Sequence, residues 1–184
     1  RPSSVSGLPF RLRPYQEETC DIFHAGGSER GGSGVIVLPC GAGKTIVGMG
    51  CMARLRTSTL ILTTSVTAVR QWVAELLDKT TLRADQIGEY TGAAKEIRPV
   101  TVSTYQIMTY RPSALEAFTH MGLFDRRDWG LIIYDEVHLL QAPVFQATAG
   151  LQARRRLGLT ATLVREDGRE GDVFALIGPK KADV

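Results

Sequence analysis

The sequence predicts an α/β fold, a mostly parallel sheet with helices on both faces. Two observations carry that prediction. Short runs that are continuously apolar or β-branched alternate with longer stretches whose apolar positions fall three and four apart, the pattern of buried parallel strands joined by crossover helices. Two polar signatures then follow such runs: Pro39-Cys40-Gly41-Ala42-Gly43-Lys44-Thr45 after one, and Asp135-Glu136-Val137-His138 after another.

In chain order, a helix is predicted over 14–24, opening on Pro14, which is tolerated in a first turn. Gly26-Gly27-Ser28-Glu29-Arg30-Gly31-Gly32-Ser33-Gly34 follows and reads as a flexible surface loop, since the segment before it is too short to build a core of its own. Strands are expected at Val35-Ile36-Val37-Leu38, Thr59-Leu60-Ile61-Leu62-Thr63, Val100-Thr101-Val102-Ser103 and Leu131-Ile132-Ile133-Tyr134, with Leu157-Gly158-Leu159-Thr160 as a fifth. Helices are expected over 44–55, 67–77 and 143–151. No internal repeat is present.

The chain has 184 residues, enough for one domain that buries roughly 70% of the surface its unfolded chain exposes. Its net charge of +3 is too small to diagnose a nucleic-acid partner, although Arg154-Arg155-Arg156 is a local basic cluster that also suits a helix end. Cys20, Cys40 and Cys51 are odd in number, lack metal-ligand spacing, and include one thiol inside the glycine-rich loop. They point to a reducing intracellular compartment. No stretch reaches the ~20 apolar residues of a membrane span, so no membrane role is expected. The chain begins without Met and ends soon after its last motif, and is read as one domain, with a core over about 10–180, cut from a longer protein.

A strand running into Gly41-Ala42-Gly43-Lys44-Thr45 and then a helix has a mechanical purpose. Glycines let backbone N–H groups curl around phosphate oxygens, and the helix N-terminus adds partial positive charge. Pro39, Cys40, Gly41, Ala42 and Gly43 would line the phosphates, Lys44 would reach the β and γ groups, and the Thr45 hydroxyl would ligate Mg2+. The full phosphate-loop pattern is not met, because Leu38 stands where its first glycine belongs. Asp135 and Glu136 arrive at the carboxyl end of a strand, where open α/β sheets bind ligands. Asp135 is assigned to the metal and Glu136 to the attacking water, with His138 sensing or relaying the γ phosphate. The plain alternative is a pair of acids favoured by a helix dipole.

At these residues the chain resembles the first RecA-like lobe of a superfamily 2 helicase, a P-loop NTPase fold, with Asp135-Glu136-Val137-His138 as motif II. Leu12-Arg13-Pro14-Tyr15-Gln16, Leu38 to Thr45, and Leu157-Gly158-Leu159-Thr160-Ala161-Thr162-Leu163-Val164-Arg165-Glu166-Asp167 resemble the XPB family of DNA helicases. The resemblance covers about 10–180. It implies ATP and Mg2+ as cofactors, adenine recognition by Gln16 with support from Arg13, and coupling of the nucleotide site to DNA by Thr160 and Thr162. A Gln amide both donates and accepts, which suits an adenine edge, while the plain alternative leaves Gln16 exposed on a helix. Arg165, Glu166 and Asp167 match an element that the family uses in strand separation; alone they would be a solvated loop.

The same resemblance places Thr64-Ser65, Gln71-Trp72 and Ser103-Thr104-Tyr105-Gln106 in motifs that grip one DNA strand through its backbone, with Thr64, Ser65, Gln71, Ser103 and Thr104 as the candidate contacts. Trp72, beside Gln71, reads as core rather than as a stacking platform. The resemblance also implies a second RecA-like lobe, which this chain does not contain, protein partners in repair or transcription, and 3′ to 5′ movement. Localisation would be cytoplasmic in a prokaryote and nuclear in a eukaryote. Alternatives that stay open are the motor lobe of a restriction-type or remodeller-type translocase, against which Arg165-Glu166-Asp167 speaks, an RNA helicase, and a non-catalytic docking module built on the nucleotide fold.

Overall fold

The computed structural model describes residues 10–28, 31–125, 127–162 and 170–183. Seven strands form one sheet among them: β1 Gly34–Val37, β2 Thr59–Thr63, β3 Ile87–Tyr90, β4 Val100–Thr104, β5 Trp129–Asp135, β6 Ala153–Thr160 and β7 Lys180–Asp183. Their order is β3-β4-β2-β5-β6-β1-β7, and every pairing is parallel. The helices are α1 Pro14–His24, α2 Lys44–Leu55, α3 Val66–Lys79, α4 Tyr105–Met108, α5 Met121–Phe124, α6 Ala142–Ala149 and α7 Glu170–Ile177.

Strand side chains alternate between two cores, as the period of two requires. Ile36, Ile61, Val102, Ile133 and Leu159 pack with Phe23 of α1, Val47 of α2 and Trp72 of α3. Val35, Leu60, Leu62, Ile132 and Tyr134 pack with Met108 of α4, Phe124 of α5, Val144 of α6 and Ile177 of α7. Both faces are therefore covered, and the central strands are apolar on both sides, which is why they read as continuous hydrophobic runs. No helix among the described residues is long and apolar enough to cross a membrane.

Local chemistry sets the helix ends. Pro14 opens α1; Ser65 caps α3 by accepting the Ala68 N–H at 3.1 Å. Arg156 lies in β6, not at a helix end, yet its guanidinium donates to the Thr148 and Leu151 carbonyls at 3.1 and 2.8 Å and so satisfies the exit of α6.

The structure adds elements and corrects one. The two unforeseen strands, β3 and β7, lie at the sheet edges. Ile-Gly-Glu-Tyr and Lys-Lys-Ala-Asp carry too few apolar residues to read as buried strands, because an edge strand needs fewer and tolerates charge. The glycine-rich segment is not wholly a loose surface loop: Gly31, Gly32 and Gly34 are buried, and the Gly32 N–H donates to the Phe23 carbonyl at 2.6 Å. A Cβ on Gly31 would lie 2.1 Å from the His24 carbonyl oxygen at the end of α1, and one on Gly34 2.6 Å from the Pro179 carbonyl oxygen, so neither position has room for a side chain.

One glycine sets the spacing of the first face. A Cβ on Gly48 of α2 would lie 2.7 Å from the Trp72 ring and 3.2 Å from Leu159. Gly48→Ala is expected to destabilise the fold by about 1–3 kcal/mol through overpacking, despite the better helix propensity of Ala. Chemical denaturation of the two proteins would measure the difference.

Candidate active site

The turn after β1 passes through left-handed backbone at Gly41 (φ +81°) and Gly43 (φ +82°). Gly43 is the N-cap of α2 and no side chain caps that helix, so its first amides have no intrahelical partner and face the turn. The dipole of α2 ends at the same point. A Cβ on Gly43 would also lie 2.8 Å from the Gln16 side-chain nitrogen. Glycine is thus required twice there, for conformation and for space.

Gln16 is 5% exposed, which removes the exposed-helix alternative. Its Oε1 accepts the Arg13 N–H at 3.0 Å, and its Nε2 donates to the Ala42 carbonyl at 3.0 Å and to the Tyr15 hydroxyl at 3.3 Å. The Tyr15 O–H donates to the same Ala42 carbonyl at 2.7 Å. The opening motif therefore braces the phosphate loop from behind. Both amide hydrogens of Gln16 are spent within the chain, so toward an adenine it offers only acceptance at Oε1, not the two-way contact read from its chemistry. Arg13 joins this network through its backbone and is exposed.

At the far side, β5 ends on Asp135, and Glu136 follows at φ +52°, uncommon for a residue with a Cβ. Glu136 Oε1 lies 3.0 Å from Lys44 Nζ, their side chains 31% and 14% exposed. The two signatures, ninety residues apart in the sequence, meet in this ion pair. His138 Nδ1 is 3.5 Å from Glu136 Oε2 and 2.8 Å from Thr160 Oγ1. The Thr160 hydroxyl donates to the Thr162 carbonyl, so its own proton is used and the imidazole Nδ1 must be the donor toward it. The Thr162 N–H returns to Thr160 Oγ1 at 3.2 Å. Motif II and the threonine segment are one hydrogen-bonded unit.

Asp135 is held from three directions. Its Oδ2 accepts the Trp72 indole N–H at 2.9 Å, its Oδ1 accepts the Glu136 N–H at 3.1 Å, and its carbonyl accepts the Tyr105 hydroxyl at 2.7 Å. Burial pushes the Asp135 carboxyl above the ordinary carboxylate value; the Trp72 donor and Lys44 oppose that shift, and the Glu136 charge adds to it. Burial also pushes the Tyr105 phenol well up, and the Asp135 charge adds to that, so Tyr105 stays protonated and donates.

The residues assigned to a DNA strand divide by exposure. Ser65 and Gln71 are exposed and Thr64 is half-buried. The Thr64 carbonyl accepts the Gln106 amide at 3.2 Å, tying α4 to the start of α3. A groove of about 330 Å³ opens there, lined by Thr64, Tyr105, Gln106, Thr109, Leu139 and Gln141. Ser103 and Thr104 are both buried in β4, and the Ser103 hydroxyl donates to the Tyr90 carbonyl at 2.7 Å within the sheet. Arg165, Glu166 and Asp167 lie outside the described residues. A larger concavity, about 1130 Å³, sits at the amino ends of β2 and β4 among the described residues and contains none of the assigned residues. Site size alone would mislead here.

A family described as the res subunit of type III restriction enzymes matches residues 9–165. The chain belongs to this family. It is 64% identical over 174 residues to the DNA 3′-5′ helicase XPB of Kineococcus radiotolerans, covering 95% of this chain and 30% of the relative. It is 59% identical over 182 residues to the DNA 3′-5′ helicase XPB of Mycobacterium tuberculosis, covering 99% and 32%. The chain thus spans about a third of the length of these relatives. The crystal structure of the UvsW helicase from a bacteriophage shares the fold, with a TM-score of 0.80 at 17% identity over 99% of this chain and 64% of that one. The XPB-type resemblance read from the motifs therefore holds, as does the RecA-like fold.

Three contributors were not foreseen. Tyr15 and Tyr105 lie inside quoted motifs, but no residue pattern shows which carbonyl a phenol will reach. Trp72 is core, as expected, at 1% exposure, yet its buried N–H needs an acceptor and finds Asp135. That need was the available signal.

A carboxyl raised by burial lowers stability once it ionises. Between the ordinary value of 3.8 and the raised value in the fold, the native state binds more protons than the unfolded one, so stability falls as pH rises through that window. Asp135→Asn keeps an acceptor for Trp72 and removes the charge. It is expected to raise the melting temperature of the nucleotide-free chain at pH 7 and to do so much less at pH 4, as read by circular dichroism melts.

Proposed function

We propose that this chain is the ATP-gripping lobe of an ATP-dependent DNA helicase or translocase that moves 3′ to 5′ and couples hydrolysis to DNA strand separation. The observation that carries this reading is the 3.0 Å pairing of Lys44 with Glu136, which sets the phosphate-loop cation and a carboxylate on opposite sides of one site. The named activity of the XPB relatives supports the substrate and the direction.

In this reading the amides of the phosphate loop and the head of α2 bind the phosphate oxygens. An incoming γ phosphate competes for Lys44, drawing its ammonium from Glu136 and freeing that carboxylate to accept a proton from the attacking water. Thr45 and Asp135 offer a hydroxyl and a carboxylate, hard oxygen donors of the kind Mg2+ takes beside phosphate, and the ion would neutralise charge on the triphosphate. His138, bonded to Thr160 and near Glu136, would carry the state of this site to the threonine segment. Gln16 holds the loop and has one lone pair left for the adenine amino group.

Thr64, Ser65 and Gln71 would meet the DNA backbone at the start of α3 and along it, with Gln106 of the neighbouring motif beside them, and Arg165, Glu166 and Asp167 would act at the fork. A second RecA-like lobe would close over the nucleotide and supply an arginine, a contribution worth ~10³ to 10⁵ in rate in related enzymes, so this lobe alone hydrolyses ATP poorly. The work would take place where the DNA is, cytoplasmic in a prokaryote and nuclear in a eukaryote, beside repair or transcription proteins. The restriction-subunit description of the matched family favours one second reading, translocation without strand separation. Forked-duplex unwinding distinguishes the two, since a pure translocase displaces a bound triplex strand and leaves the fork paired.

In the two-lobed protein, Lys44→Ala is expected to weaken ATP binding at least about tenfold, while Glu136→Gln keeps binding and lowers kcat by about 10² to 10⁴. Titration with a fluorescent ATP analogue and DNA-stimulated phosphate release separate the two effects. Unchanged turnover in Glu136→Gln would remove Glu136 as the base.

A further inference from the structure

Trp72 is the one buried side chain on α3 whose polar atom ends on the nucleotide site. Its ring is 1% exposed and sits against Gly48 of α2, where even a methyl group would come within 2.7 Å of the ring. The ring position is therefore set by the helix that carries the phosphate loop. Its N–H is aimed at Asp135 Oδ2 at 2.9 Å, while Oδ1 takes the Glu136 N–H at 3.1 Å. Each carboxylate oxygen is left with free lone-pair capacity, and the direction in which that capacity faces is decided by the two donors.

We propose that Trp72 is the positioning residue for Asp135: its indole N–H fixes the rotation of the carboxylate so that the remaining lone pairs face the divalent ion bound with ATP. The inference rests on the assignment of Asp135 to the metal. A freely rotating carboxylate would present its oxygens in many directions, and ordering it would cost affinity at the moment the ion binds. With Trp72 in place that ordering is already done when the chain folds. Groups that orient a metal ligand in this way are typically worth about 10- to 100-fold in metal affinity.

The chain has two tryptophans, which makes the inference directly measurable. Trp129 donates its indole N–H to the Phe124 carbonyl at 2.9 Å on the opposite face of the sheet and serves as an internal reference. With ¹⁵N-labelled tryptophan, the Trp72 indole resonance is expected to move when Mg2+ and a non-hydrolysable ATP analogue are added together, beyond any change caused by the analogue with a chelator. The Trp129 resonance should stay in place. Replacement of Trp72 by benzothienylalanine, which keeps the ring shape and lacks the N–H, should lower the affinity gained from Mg2+ by about tenfold or more and leave the metal-free affinity unchanged. Trp72→Phe should do the same, and the isosteric residue guards against a loss caused only by a cavity.

Asp135→Asn separates loss of the metal ligand from loss of its orientation. If Asp135→Asn abolishes the Mg2+ increment and the benzothienylalanine protein retains it in full, Trp72 is a packing residue and the inference is overturned. If Asp135→Asn itself leaves the increment intact, the assignment of Asp135 to the metal fails and the inference falls with it. Loss of the increment in both proteins, with the metal-free affinity preserved, is the supporting outcome.

Discussion

The site depends on the parallel alignment of β1 and β5 on either side of β6. Register places Val37, the end of β1, level with Thr160, and Asp135, the end of β5, level with Leu159. Both strands therefore finish at the same height on the same edge, and the turns that leave them face each other. Lys44 and Glu136 can pair at 3.0 Å only because of that registration. A one-residue slip of β6 against either neighbour would exchange its two faces and separate the two turns. The mostly apolar core on both sides of the sheet makes such a slip costly, so precision at the polar edge is supplied by packing beneath it.

The helices of the first face do more than cover the sheet. α1 reaches the Ala42 carbonyl through Tyr15 and Gln16, α2 supplies the loop and the seat for Trp72, and α3 brings the indole to Asp135. Each predicted motif is thus held by its neighbour rather than by its own segment. This arrangement stabilises a site that is unfavourable in itself: a carboxylate raised by burial, a glutamate at φ +52°, and an uncapped helix end are all costs that the surrounding structure has to offset. These features fit the proposed nucleotide and its metal ion, since an anion and a cation placed there would relieve the exposed amides and the buried charge together.

Much of the fold was legible in the sequence. The central strands, buried on both faces, had to be apolar throughout, and the helices between them had to carry apolar stripes. Glycine, lysine and threonine after a strand, and paired acids after another, carry their chemistry in residue type and spacing. The edge strands β3 and β7 were not legible, because one neighbour and partial exposure demand no hydrophobic run. The burial of Ser103 and Thr104 was also hidden, since hydroxyl residues occur both at strand ends that meet ligands and inside sheets where a neighbouring carbonyl takes the proton.

By itself, the sequence determined the central strands and the principal helices, the parallel α/β class, the family and the reactive groups, because these follow from local periodicity, backbone permissiveness and side-chain chemistry. Only the tertiary structure decided which groups meet: Lys44 with Glu136, His138 with Thr160, Gln16 with Ala42, and Trp72 with Asp135. Those pairings join residues from 22 to 92 positions apart, and they arise from strand register and helix packing, quantities summed over the whole core that no short stretch of sequence contains.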